Sequence, residues 1–124
     1  MISGIGIDIV QIRRMERWYA QRNLLERYFH PHELSAALSR GKGANQALAC
    51  RFAAKEAFGK ALGTGLAGIV LKDIMVFSRH NGQPELQVFD SALHALEKKG
   101  ANRVHLSLAH ERDSAIAMVV LEVV

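Results

Sequence analysis

From Ile2 to Ile9 the chain alternates. Ile5, Ile7 and Ile9 fall on one side and Gly4, Gly6 and Asp8 on the other, the period of a strand. The period then changes. Ile12, Met15, Trp18 and Tyr19 share one face at helical spacing, and Arg13, Arg14 and Arg17 occupy the other. This predicts an amphipathic helix over about residues 10 to 22. Pro31 suits a first helical turn with Glu33 close behind, and that helix should end near Arg40–Gly41. The longest predicted helix runs from about Ala44 to Leu62. It is rich in Ala, Leu, Lys and Glu, and Gly63 is its natural stop.

The second half reads differently. Ile74 to Ser78 and Glu85 to Phe89 are strand-like and flank the hairpin-type turn Asn81–Gly82. Asp90 or Ser91 can cap a short helix that ends at Lys98–Lys99–Gly100. Val104, Leu106 and Leu108 alternate with His105, Ser107 and Ala109. The last strand, Ser114 to Val123, is apolar on both faces, so both should be covered. Helices first and mostly antiparallel strands later give an α+β fold, a sheet packed against a long central helix and shorter ones. No repeat, linker or low-complexity tract divides the chain, so residues 1–124 form one domain.

Composition narrows the class. With 49% hydrophobic and 23% charged residues the chain is globular rather than disordered. Its longest apolar stretch, Ala115 to Leu121, is far too short for a bilayer, and Met1 leads into no signal peptide, so the cytoplasm is expected. Cys50, the only cysteine, excludes an internal disulfide and a thiolate metal cage and reads as a small buried hydrophobe. A net charge of +4 favours an anionic partner without choosing among nucleic acid, phosphorylated small molecule and acidic protein.

Four segments could carry chemistry. Asp8 ends a strand whose polar side otherwise holds only Gly4 and Gly6. It either caps the following helix or stands where something approaches the backbone closely. Glu56 and Lys60, at i and i+4, share a helix face, either as an exposed ion pair or as working groups flanked by Phe52 and Phe58. Gly63–Thr64–Gly65 follows a helix rather than preceding one. It is therefore no P-loop, and it either caps the helix or turns backbone N–H groups to a phosphate. Ser107, His110 and Asp113 have the residue types of a triad, but one strand and its turn do not fold them into that geometry. His30 and His32 flank Pro31 as loop and helix-start residues rather than metal ligands.

Together the segments GIGIDI (Gly4 to Ile9), RFAAKEAFGKALGTG (Arg51 to Gly65), NGQP (Asn81 to Pro84) and HLSLAH (His105 to His110) resemble the holo-[acyl-carrier-protein] synthase family of phosphopantetheinyl transferases, in order and spacing along the whole chain. The resemblance implies transfer of 4′-phosphopantetheine from coenzyme A to a carrier-protein serine, with adenosine 3′,5′-bisphosphate released. Asp8 and Glu56 would hold Mg²⁺, a fitting ligand set for that ion beside phosphate oxygens and water. Lys60 would neutralise or protonate the leaving group, and the base would be Glu56 or a water on the metal. Coenzyme A would lie against Phe52, Lys60, Gly63, Thr64 and Gly65. Asn81, Gly82, Pro84, Ser107 and His110 would hold its nucleotide half. Ala109 stands where the family often has a serine or threonine, which removes one polar contact.

Arg14, with Arg13 and Arg17, would receive an acidic helix of the carrier, and the short family members are homotrimers with sites between subunits. Neither nucleic acid nor membrane is an expected partner. A small basic RNA-binding module would also explain the charge. However, aromatics are only 6% of the chain, and the predicted strands offer little beyond Phe77 and Phe89 for stacking bases.

Overall fold

The computed structural model describes residues 1–124. Strand β1 (Ile2–Gln11) opens the chain, followed by α1 (Arg14–Tyr19), α2 (Arg22–Tyr28), α3 (Pro31–Leu38) and the long α4 (Ala44–Leu62). The hairpin β2 (Ile74–Ser78) and β3 (Pro84–Val88), helix α5 (Asp90–Lys99), β4 (Arg103–His110) and β5 (Ser114–Glu122) complete it. One antiparallel sheet has the order β1-β5-β4, and β2-β3 forms a second, two-stranded one. The α+β class holds. No helix is long and apolar enough to cross a membrane.

The helix expected over residues 10 to 22 is shorter, spanning only Arg14–Tyr19. β1 continues to Gln11, because β5 offers a ladder that far, pairing Ile9 with Ile116, Val10 with Ala115 and Gln11 with Ser114. Two short helices follow, with Met15 and Leu25 buried. Asp8 therefore caps nothing. The expected Asp90 or Ser91 cap is also absent. Phe89 occupies that position without a side-chain cap bond, while the Ser91 N–H and hydroxyl both donate to Asp73. α3 does carry a capping box. His30 Nδ1 accepts from the His32 N–H at 3.1 Å, and the Glu33 carboxylate accepts from the His30 N–H at 2.9 Å.

α4 is buried on nearly every side, as its alanine-rich sequence permits. Its closest neighbour is β1. A Cβ on Gly4 would stand 2.0 Å from the Ala61 carbonyl oxygen, and one on Gly6 would stand 2.0 Å from that of Ala57. What the two glycines admit is the helix backbone itself. This contact sets Asp8, two residues further along the same side of β1, against the last turns of α4.

β5 buries one face completely, through Ala115, Ala117, Val119 and Leu121. The other face is not fully covered within the chain. Ile5, Ile7 and Ile9 of β1 are about 60% exposed (64%, 59% and 63%) and lie opposite Val120, Met118 and Ile116.

Candidate active site

Asp8 meets Lys60 where β1 crosses α4. The Lys60 ammonium donates to Asp8 Oδ1 at 2.8 Å, and the Asp8 side chain is only 16% exposed. The i, i+4 pair of Glu56 with Lys60 does not form; Lys60 turns to the strand instead. Glu56 remains half-buried beside both groups. Burial first, and then the Asp8 charge, push its carboxyl above the usual range, while Lys60 and Arg14 pull it down. The hydrogen bond to Asp8 holds the Lys60 ammonium above its ordinary value. Two carboxylates side by side, with one ammonium between strand and helix, form a site that fits a small divalent cation. The donor set is all oxygen, the preference of Mg²⁺.

Arg14 borders this site. Its guanidinium lies over the rings of Trp18 and Phe52, 5.7 and 5.4 Å from their centroids. Phe52 is only 6% exposed, beneath Arg14 and edge-on to Trp18 at 4.8 Å. Arg13 bonds Gln11 at 3.2 Å, and Arg17 is exposed in the last turn of α1; of the three, Arg14 is the one whose charge acts on Glu56.

At the end of α4, Gly63 adopts a left-handed φ of 83° and its N–H caps Lys60. The Gly65 N–H donates to the Gly59 carbonyl at 3.0 Å. A Cβ on Gly59 would come within 2.9 Å of Gly65, so Gly59 lets the loop fold back on the helix. The N–H groups of Gly63 and Gly65 are thus consumed inside the chain. The amide and hydroxyl of Thr64 make no hydrogen bond within it.

The later motifs build a second place. Gly82, Pro84 and His110 line a cavity of about 220 Å³ together with Gln46, Cys50, Arg40 and Arg51. Gln46 Nε2 lies 3.0 Å from His110 Nδ1. Asn81 stands in the β2–β3 turn, its side chain accepting from the Gln83 N–H at 3.0 Å. Ser107 is not in this cavity. The pleat of β4 puts it on the outer face opposite Met118, whereas His110, also exposed, lies on the opposite side and lines the cavity. That alternation also excludes the triad. The cavity includes neither Asp8 nor Glu56 nor the 63–65 loop. Along α4 the two places lie about ten residues apart, roughly 15 Å.

Two charged groups escaped the sequence reading. Arg51 is 5% exposed, donates to the Ala47 carbonyl and leaves its Nε without a partner beside the cavity. Lys55, fully buried, pairs with Glu33 at 2.5 Å. The available signal was that both stand at i+4 steps from Ala47 along the apolar side of α4.

Comparison with known proteins decides the family. A family model described as the 4′-phosphopantetheinyl transferase superfamily matches residues 4–119. The holo-[acyl-carrier-protein] synthase of Treponema denticola is 56% identical over 98% of this chain and 99% of its own. The chain belongs to the holo-[acyl-carrier-protein] synthases. It is a phosphopantetheinyl transferase. The synthase of Treponema pallidum is 46% identical over 98% of this chain and 97% of its own. Among solved structures, the synthase of Neisseria meningitidis superposes with a TM-score of 0.88 at 38% identity, covering 98% and 99% of the two chains. That of Bacillus anthracis, solved in complex with CoA (3′,5′-ADP), gives 0.83 at 36% identity, covering 100% and 99%. In this synthase the antiparallel sheet and the long helix make the frame on which Asp8, Glu56 and Lys60 are set.

Proposed function

We propose that the chain, acting as one domain over residues 1–124, transfers 4′-phosphopantetheine from coenzyme A to a serine hydroxyl of an apo acyl carrier protein. The observation that carries this reading is the meeting of Asp8, Glu56 and Lys60 at one point of the β1–α4 contact. Asp8 and Glu56 would hold Mg²⁺, which when bound offsets the charge of the pyrophosphate. The serine oxygen attacks the β-phosphorus, and the bond from that phosphorus to the bridging oxygen breaks. Adenosine 3′,5′-bisphosphate leaves with that oxygen. Glu56, beside Asp8 and Lys60, takes the serine proton. Lys60 neutralises or protonates the departing phosphate. Arg14, flanked by Arg13 and Arg17, receives an acidic helix of the carrier beside the carboxylates.

The nucleotide half is held by Asn81, Gly82, Pro84 and His110, with Arg51 and Arg40 adding positive charge, and these groups come from a neighbouring copy. Two observations support sites between subunits in a homotrimer. The nucleotide cavity and the carboxylates do not meet within one chain. The outer sheet face, with Ile5, Ile7 and Ile9 about 60% exposed, is an apolar strip that solvent does not favour. Ser107 lies on that face, where a second copy would cover it.

Incubation with coenzyme A, Mg²⁺ and an apo carrier should add one phosphopantetheine to the carrier, read by mass spectrometry and abolished by a chelator. No gain with several apo carriers, from folded protein, would remove the reading. Ile7→Asp, which buries a charge in the proposed interface, is expected to sediment as a monomer and to lose transfer while its helical circular dichroism persists. A trimer that survives the change would place the interface elsewhere.

A further inference from the structure

Along α5 the core-facing stripe is Ala92 and Leu96, which are 0% and 4% exposed. Three residues after Leu96, the same stripe reaches Lys99. A lysine thus stands where an apolar residue would continue the seam. Its direction is set by the helix end. Gly100 turns left-handed at φ 86°, the Gly100 and Ala101 N–H groups close on Glu97 and Leu96, and Ala101 is buried. The seam has no helix left to cover here, because α4 ends at Gly63. The Lys99 ammonium lies 3.9 Å from where a Cβ on Gly63 would stand.

No carboxylate pairs with it; the cations in the salt bridges of this chain are Arg22, Lys55, Lys60, Arg79 and His105. Next along the loop, Thr64 is exposed, and neither its amide nor its hydroxyl has a partner within the chain. An unpaired ammonium over Gly63, with the free amide and hydroxyl of Thr64 one residue along the loop, supplies donors for an oxyanion.

We propose that Lys99 is a further coenzyme A-binding residue, its ammonium contacting a phosphate of the nucleotide over the 63–65 loop. The assignment rests on the proposed use of coenzyme A. A cation at this point also complements the C-terminal end of α4, an effect on stability alone, which the test separates.

The test compares wild type with Lys99→Met, Lys99→Glu and Lys99→Arg, measuring kcat, KM for coenzyme A, KM for the carrier, direct coenzyme A binding by calorimetry, and Tm. Lys99→Met is expected to raise the KM for coenzyme A about fivefold and Lys99→Glu further, with Lys99→Arg within about twofold of wild type. kcat and the KM for the carrier should stay within about twofold throughout. Unchanged coenzyme A KM in both Met and Glu variants, whether or not Tm falls, overturns the assignment. A rise confined to the carrier KM overturns it too, moving Lys99 to the carrier surface. In both cases wild-type turnover leaves the proposed function standing. A wild type that neither binds coenzyme A nor turns over removes both.

Discussion

Glu56→Gln is expected to lower phosphopantetheine transfer by about 10³-fold while leaving the metal-free fold at least as stable as wild type. The loss follows from the role of the carboxylate. Glutamine keeps the shape but supplies neither an anionic ligand beside Asp8 nor a base for the serine proton. The stability follows from linkage. Glu56 is an acid whose proton affinity rises on folding, from burial first and then from Asp8. Between its ordinary pKa and the raised one, the folded chain binds more protons than the unfolded chain. Stability therefore falls as pH rises through that window, and the penalty stands in full above the raised pKa. Glutamine cannot ionise and is free of it. Single-turnover assays at saturating substrate, with thermal melts in chelator, separate the two effects. Retained activity within about tenfold would mean that Glu56 neither holds the ion nor takes the proton.

The largest stability effect belongs to Glu33. Its carboxylate accepts from Lys55, from the His30 N–H that opens α3 and from the Val76 N–H of β2, each within 2.9 Å. Lys55 also donates to the Leu71 and Ile74 carbonyls and lies 5.5 Å over the Phe29 ring. One ion pair thus ties together α3, α4, β2 and the turn before β2. Burial pushes the Lys55 ammonium below its ordinary value, and Glu33 is the main group opposing that. Glu33→Ala leaves a buried ammonium without its counter-charge and is expected to cost about 3–5 kcal/mol. For a chain of this size that is roughly 10–20 °C in Tm. The double variant Glu33→Leu with Lys55→Met should recover most of the loss, because it removes both charges. Chemical denaturation checks both. A loss in Glu33→Ala below about 1 kcal/mol would mean that the pair ties nothing together.

Much of this was readable one segment at a time. Alternation marked β1 and β4, an apolar run marked β5, and Asn81–Gly82 marked the hairpin turn. The run from Ala44 to Leu62 declared itself by composition, with Gly63 closing it in the left-handed conformation. Each is a local matter, because helix and strand periods and the backbone freedom of glycine act over a few residues. Even the family was carried by short motifs whose order along the chain is a property of sequence.

The tertiary structure decided the rest, because it depends on register and depth, which no local period encodes. β1 runs to Gln11 because β5 is there to pair with it. Gly4 and Gly6 stand open to a helix that comes about fifty residues later, and that contact, not the i, i+4 spacing, gives Lys60 to Asp8 instead of Glu56. Lys55 and Glu33, adjacent to nothing suggestive in sequence, become partners only when both are buried at the same depth. Likewise the pleat of β4 puts His110 on the cavity side and Ser107 on the outer side, so the residues one motif groups together lie on opposite faces of the sheet.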